Sequence, residues 1–417
     1  MKILFIVPNV PYPLDNGGRI RVYKLMESLA KRGHEIDLLA FNRSESGPEN
    51  AEALQKICKN VDVIPLLERQ RFSNKRKSQL LSLFQRTPYQ YTALYSERMQ
   101  DVLTSIVQER DYDIIQFEFS QMSYHELPDY SNCILDQHNV EAELLYRTYT
   151  AESNLVRKLF SFIEWRKFSR DEINNIQKFP VCLTTSARDA EMLHDEAPKP
   201  EYSVIPNGVD CAFFSDDGRT AVPDKNTIIF TGTIDYHPNL DGLKYFLHEV
   251  FPLIEEKLPD IKFYIVGRSP PAMIQAFGDA SQNIIVTGGV EDMRSYFDKA
   301  GVVVVPLRIG GGTRLKILEA MAMSKPVVST SIGAEGIDTT PSTDILLADD
   351  PAAFAQSVVD LLADEERQRN MGQAGRRLVE AKYDWHSIAG QLEETYEHLL
   401  IKNSASATGS FVQPELA

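Results

Sequence analysis

The chain has 417 residues, 43% of them hydrophobic and 25% charged, which are the proportions of a folded protein with room for two domains of ordinary size. Its net charge of −15 and pI of about 5.1 argue against nonspecific nucleic-acid binding. No apolar run approaches the ~18–20 residues of a membrane span, and the amino terminus lacks a small-residue cleavage site, so neither a span nor a signal peptide is expected.

In chain order, residues 3–7 read as a strand, followed by the loop Pro11-Tyr12-Pro13-Leu14-Asp15-Asn16-Gly17-Gly18 and a helix over 19–32. Proline presets φ and Asn-Gly supplies a positive-φ residue, so a rigid turn is the plain reading. A backbone without Cβ also permits close approach to a ligand. Arg19 and Arg21 open the helix, one of them expected to face solvent. Further strands are expected at 36–40, 61–64, 113–117, 133–136 and 181–184, with helical stretches between them. Strands alternating with helices imply right-handed crossovers and a parallel sheet. Asp111-Tyr112-Asp113 reads as a solvated strand entry rather than a metal site. Two basic-aromatic stretches stand out against the acidic background: one from Arg69 through Arg71, Lys75, Arg76 and Lys77 to Arg86, and a helix over 157–168. Such stretches fit attachment to an anionic membrane surface, and they equally fit a solvated helix face.

Pro206 and Gly208 punctuate a hinge, after which the pattern restarts with strands at 227–231, 263–266, 284–286, 302–305 and 327–328. There is no fixed-period repeat, which excludes a solenoid. Four consecutive valines at 302–305 mark a strand buried on both faces. Beyond it lie Arg308, the glycines Gly310, Gly311 and Gly312, and a helix expected to open on Thr313 with Arg314 and Lys316 in its first turn. Cations are disfavoured at the positive end of a helix dipole unless an anion joins them, so bared N–H groups, a helix start and these cations describe a phosphate cradle. Glu319, on the same helix, can accept hydrogen bonds from a ribose. The loop is neither a Walker A motif, since no Gly-Lys-Ser/Thr follows, nor the dinucleotide G-x-G-x-x-G. Gly267 and Arg268 end another strand, where they can approach a nucleoside. The four cysteines, Cys58, Cys133, Cys182 and Cys211, are scattered and read as reduced thiols of a cytoplasmic protein, and no metal cluster is visible.

Residues 306–336, together with 205–210, 230–246, 263–267, 286–300 and the amino-terminal 41 residues, resemble the retaining glycosyltransferases of family 4 (group 1), in the subgroup associated with exopolysaccharide. The resemblance covers the chain to about residue 400. It implies an α/β GT-B architecture: two Rossmann-like doubly wound parallel-sheet domains facing a central cleft. The expected divisions are an acceptor-side domain over 1–206, a donor domain over 207–385, a helix over 386–402 crossing back to the first domain, and a disordered tail over 403–417. Gly17 and Gly18 would then approach the donor diphosphate or the transferred sugar, Gly232 and Thr233 would border the donor, and Val290 would meet the base. Two departures accompany the match. The first glutamate of the family's Glu-x7-Glu pair is Gly311 here, leaving Glu319 alone, and the arginine after the first strand of the donor domain is Thr233. Positive charge is expected to move onto Arg308, Arg314 and Lys316.

The resemblance implies a hexosyltransferase-type enzyme that moves a sugar from a nucleoside-diphosphate-sugar, with no cofactor and no metal. Stabilising about two negative charges on the departing diphosphate falls to fixed donors in that case. The family's usual histidine after the fourth strand is absent, with Gln116 and Glu118 in its place. Glu118, or His138 at the end of the next strand, is the candidate to meet the acceptor's proton. The partners implied are the nucleotide-sugar, a saccharide acceptor (polyprenyl-diphosphate-linked, in surface polysaccharide synthesis) and an anionic membrane surface on the cytoplasmic face of the inner membrane, with no nucleic acid. A GT-B sugar-nucleotide epimerase and an inactive glycosyltransferase-like scaffold are the alternatives.

Overall fold

A computed structural model describes residues 1–42, 48–65, 79, 82–152, 154–215, 224, 226–310 and 313–409. The chain divides into two compact units: Met1–Pro206 with the chain from Ile388 onward, and Asn207–Ser387.

The first unit holds strands β1 (Lys2–Val7), β2 (Glu35–Asn42), β3 (Asn60–Pro65), β4 (Ile114–Glu118), β5 (Cys133–Gln137), β6 (Val181–Thr184) and β7 (Glu201–Val204). They form one parallel sheet in the order β3-β2-β1-β4-β5-β6-β7. β1, β4, β5 and β6 are near-continuous apolar runs because helices cover both faces, as in Leu4, Phe5 and Ile6 or Cys133, Ile134 and Leu135. The order reverses between β1 and β4, which makes that junction the unit's topological switch point. The second unit repeats the plan with β8 (Thr227–Thr231), β9 (Lys262–Val266), β10 (Ile284–Gly288), β11 (Val302–Val305), β12 (Val327–Ser329) and β13 (Leu346–Leu347), in the order β10-β9-β8-β11-β12-β13. Its switch point lies between β8 and β11. Val302 to Val305 are wholly buried, in a core that also takes Phe230, Phe246 and Phe263.

Helix starts follow their capping chemistry. The Asn16 side chain accepts from the Arg19 N–H at 3.1 Å, so the first helix is Gly17–Lys31 and the glycine pair lies inside its first turn. Asp350 caps Pro351–Ala363, with proline at the first helical position, and Asp364 caps Glu365–Lys382. A π-helical turn, Phe246–Val250, joins His237–Tyr245 to Phe251–Lys257, where Pro252 has no N–H to donate.

Four expectations need revision. The helix expected at Thr313 begins at Leu315, so Thr313 and Arg314 precede it and Lys316 alone of the three is in its first turn. The last helix runs Trp385–Gly409, past residue 402, so the chain is helical where a tail was expected. Neither arginine of the first helix faces open solvent: Arg21 is 1% exposed, and Arg19 is held by Asp15 at 2.8 Å. Strands β7 and β13 were not expected at all. The basic run from Arg69 to Lys77 lies outside the described residues.

Candidate functional site

Ligands of open α/β sheets bind outside the carboxyl ends of the strands at the switch point. In the first unit that rim is formed by the chain leaving β1, by Phe119 after β4 and by His138 after β5. A Cβ added to Gly18 would lie 2.9 Å from the Phe119 ring, so glycine is required where the first helix meets that side chain. Phe119 adopts φ 67°, a left-handed conformation costly for an aromatic residue, and its ring centroid lies 3.8 Å from that of His138.

Beneath this rim sits a buried charge network. Arg21 grips Asp136 through two hydrogen bonds, Nε to Oδ2 and Nη2 to Oδ1, both 3.0 Å, and its Nη1 donates to the Pro206 carbonyl at 3.0 Å. Glu118 accepts from Gln116 Nε2 at 2.7 Å and shares a proton with His138 Nε2 at 2.6 Å. Tyr396 donates in turn to Gln116 Oε1 at 2.5 Å. Burial first, then Asp136, raises the Glu118 carboxyl above its ordinary range, while His138 and Arg21 oppose the rise. With both oxygens engaged and no exposure, Glu118 is placed to fix the His138 ring. Glu118, Asp136 and His138 bring one potential metal-ligand atom each within 4.8 Å of one another. Both Asp136 oxygens already take Arg21, so a guanidinium supplies the countercharge there. Asp113 accepts from the Lys2 N–H at 2.7 Å, ahead of β4 and so at the opposite, amino end of the strands.

In the second unit the rim is tighter. The Gly232 N–H donates to the Val266 carbonyl and the Gly267 N–H to the Gly288 carbonyl, both at 3.0 Å. A Cβ on Gly267 would sit 1.6 Å from the Gly232 oxygen, so the chains leaving β8 and β9 approach as only glycine allows. Lys316 Nζ donates to Asn239 Oδ1 at 2.8 Å, lies 3.8 Å from the centre of the Phe230 ring, and is 3.1 Å from where a Gly232 Cβ would be. Asn239 Nδ2 donates to the Thr233 carbonyl at 2.8 Å, tying the exposed Thr233 loop to the lysine. The helix after β11 thus brings the Lys316 ammonium beside Gly232, next to position 233. Burial and then Arg314 lower the Lys316 ammonium to about 7, and burial raises the Glu319 carboxyl to about 7 against the pull of Lys316.

The remaining expected residues are spread along the same rim. Arg314 stands at the N-cap position of helix Leu315–Ala322 without a side-chain cap, and a Cβ on Gly310, at φ 125°, would lie 2.8 Å from its Nη2. Thr313 is buried and its hydroxyl has no hydrogen-bond partner among the described residues. Arg308 is paired with Asp241 at 2.9 and 3.1 Å and lies over Tyr245, an arrangement that braces helix His237–Tyr245. Arg268 is exposed at the end of β9, and Val290 packs partly buried against the core. Gly311 and Gly312 lie outside the described residues. Sequence reading missed Asp136 and Asn239, and it placed Arg21 at the helix start without its buried partner Asp136. Asp136 at a strand end was a readable signal, whereas the Asn239–Lys316 contact spans 77 residues.

Two doubly wound units, the second gathering glycines, a lysine and a glutamate at its carboxyl rim, define a GT-B glycosyltransferase. Residues 15–213 match the family described as Glycosyltransferase Family 4 and residues 225–364 the one described as Glycosyl transferases group 1. The chain belongs to this family. It is 24% identical over 396 residues to an uncharacterized 44.6 kDa protein in the cps region of Klebsiella pneumoniae, covering 92% of this chain and 96% of that one. It is 29% identical over 264 residues to the MMP alpha-(1->4)-mannosyltransferase of Mycolicibacterium hassiacum, covering 60% of each. Among solved structures, sucrose-phosphate synthase from Thermosynechococcus elongatus matches with a TM-score of 0.70 at 17% identity, over 96% of this chain and 100% of that one. Anabaena HepE in complex with UDP matches with a TM-score of 0.65 at 12% identity, over 95% and 100%.

Proposed function

We propose that the chain transfers a hexose from a nucleoside-diphosphate-sugar to a saccharide acceptor with retention of anomeric configuration, the donor nucleotide being held by the second unit. The observation that carries this reading is the Lys316–Asn239–Gly232 junction, with Glu319 three residues on along the same helix face. A half-buried lysine whose charge is costly is poised to gain a proton when a diphosphate arrives. Arg314 and the neighbouring N–H groups add fixed donors for the leaving group without a metal, and Glu319 accepts from ribose hydroxyls. Retention is the outcome that the family resemblance implies. The test is transfer or donor hydrolysis with UDP-, GDP- and ADP-sugars, the anomeric configuration of the product being read by NMR.

A lipid-linked acceptor for surface polysaccharide, met at the cytoplasmic face of a membrane, is the finer part of the proposal. The cps-region relative and the Staphylococcus aureus capsular polysaccharide biosynthesis glycosyltransferase CapM, 27% identical over 165 residues, support it. So does helix Leu155–Ile176, whose first two turns leave Leu155 82%, Val156 80% and Leu159 61% exposed beside Arg157 and Lys158. Apolar groups flanked by cations in an acidic protein suit an anionic bilayer surface. Among the described residues no helix is long and apolar enough to cross a membrane.

A further inference from the structure

The last helix, Trp385–Gly409, belongs to the first unit from Ile388 onward and buries Ile388, Leu392, Tyr396 and Leu399 as one stripe at three- and four-residue spacing. Tyr396 is the polar member of that stripe. It is wholly buried, and the only hydrogen bond of its hydroxyl among the described residues goes to Gln116 Oε1 at 2.5 Å. Burial first, then Glu118 and Asp136, hold this hydroxyl well above its ordinary range against the pull of Arg21, so it keeps its proton and donates.

Gln116 passes the contact on. Its Nε2 donates to Glu118 Oε1 at 2.7 Å, and Glu118 Oε2 lies 2.6 Å from His138 Nε2. Gln116 and Glu118 are both 0% exposed, so bulk water does not replace a partner lost here. Asp136, the other carboxylate near His138, is 3.9 Å from Nε2 and is already held by Arg21. The second ring nitrogen, Nδ1, faces Gly18 instead. It lies 3.8 Å from where a Gly18 Cβ would be and has no hydrogen-bond partner among the described residues.

An amide between a phenol and a carboxyl group has two orientations, and they demand different charges on Glu118. With Oε1 toward Tyr396, the phenol donates to the amide and Nε2 donates to an ionised Glu118. That carboxylate then holds the His138 Nε2–H by a charge-assisted bond, and Nδ1 is left a bare acceptor. With the amide turned over, Oε1 faces Glu118, which must be protonated to donate to it. Its hold on the Nε2–H then loses the charge, and the ring is free to carry its proton on Nδ1. The turned amide would also leave the Tyr396 O–H without an acceptor in a buried site, a state that folded proteins avoid. The hydroxyl at position 396 therefore selects the first orientation.

We infer that Tyr396 is a positioning residue of the transfer reaction: acting through Gln116 and Glu118, it keeps the His138 proton on Nε2 and leaves Nδ1 free to accept a proton. The part His138 plays in transfer rests on the glycosyltransferase reading above; the place of its proton does not.

The test is NMR at pH 8 on the full chain with isotope-labelled histidine nitrogens, the His138 signals being those missing from His138→Gln. The natural chain is expected to show Nε2 protonated and Nδ1 bare. Tyr396→Phe removes one hydroxyl and Gln116→Met removes the amide. Each is expected to lower the ratio of the Nε2–H to the Nδ1–H form about tenfold, the effect of one lost buried hydrogen bond. Hydrolysis of UDP-glucose and GDP-mannose is expected to lose kcat by a similar factor with KM unchanged, because the donor site assigned above lies in the second unit. Circular dichroism identifies the variants that fold, and either one suffices. A merely structural role would lower the melting temperature and leave both nitrogen signals in place, which would overturn the inference. A natural chain that already carries the proton on Nδ1 would overturn it as well. Absence of hydrolysis by the natural chain would count against the glycosyltransferase reading instead, and the nitrogen signals would still decide where the proton sits.

Discussion

Arg21 and Asp136 are joined by two parallel hydrogen bonds of 3.0 Å, 115 residues apart in sequence, with side chains 1% and 0% exposed. The pair fastens the first helix to the end of β5, beneath the ring of His138. Removing one member leaves an uncompensated buried charge, which costs about 3–5 kcal/mol. Arg21→Met is expected to lose that much stability in urea, and Arg21→Met with Asp136→Leu to recover part of it. A single variant losing less than about 1 kcal/mol would show that water reaches the pair.

The pH dependence of donor binding follows from two groups at the other rim. Lys316, lowered to about 7, is charged below that pH and neutral above it, so affinity for the diphosphate falls as pH rises past about 7. Glu319, raised to about 7, is ionised only above that pH, so its hydrogen bonds to ribose hydroxyls weaken as pH falls. A nucleotide-sugar does not titrate near neutrality, which makes it the suitable probe. Titration calorimetry from pH 5.5 to 9 is expected to show a maximum near 7. Lys316→Met removes the alkaline limb and Glu319→Gln the acid limb; a flat profile in the natural chain contradicts the assignment.

Gly267 and Gly288 make a matched pair for testing the rim. A Cβ on Gly267 would overlap the Gly232 oxygen, while one on Gly288 meets nothing within 4 Å although φ is +73°. Gly267→Ala is expected to cost about 3 kcal/mol or more and to abolish nucleotide binding. Gly288→Asn is expected to cost about 1 kcal/mol, the penalty of a left-handed residue alone. Equal melting temperatures for the two variants would contradict the close approach of the chains leaving β8 and β9.

Membrane attachment has a local handle. Replacing Leu155, Val156 and Leu159 by serine is expected to abolish cosedimentation with phosphatidylglycerol vesicles without changing the melting temperature, because all three are exposed. High salt should weaken binding by the natural chain through Arg157 and Lys158. Cosedimentation undiminished in the triple variant would remove this helix from the attachment surface.

The strands that were legible are those buried on both faces, such as the valine run of β11, where the apolar pattern is continuous. β7 (Glu-Tyr-Ser-Val) and β13 escaped notice because the first is a sheet-edge strand with polar residues and the second is two residues long. The glycines at the carboxyl rim of the second unit were legible because backbone approach leaves a mark in sequence that no side chain can replace. The partners of the charged residues were not. Asn239 serves Lys316 across 77 residues and Glu172 serves the start of helix Glu141–Ala151 across 31, distances at which sequence carries no pattern.

The central claim is that a nucleoside diphosphate is held by Lys316 and its neighbours at the carboxyl rim of the second unit. A thermal-shift screen of UDP-, GDP- and ADP-sugars against the natural chain and Lys316→Met tests it most directly, since a ligand bound only by the folded state raises its melting point. The account predicts that at least one nucleotide-sugar raises the melting temperature of the natural chain, and that Lys316→Met loses the shift while remaining folded. An equal shift in both proteins, or none in the natural chain, would contradict it.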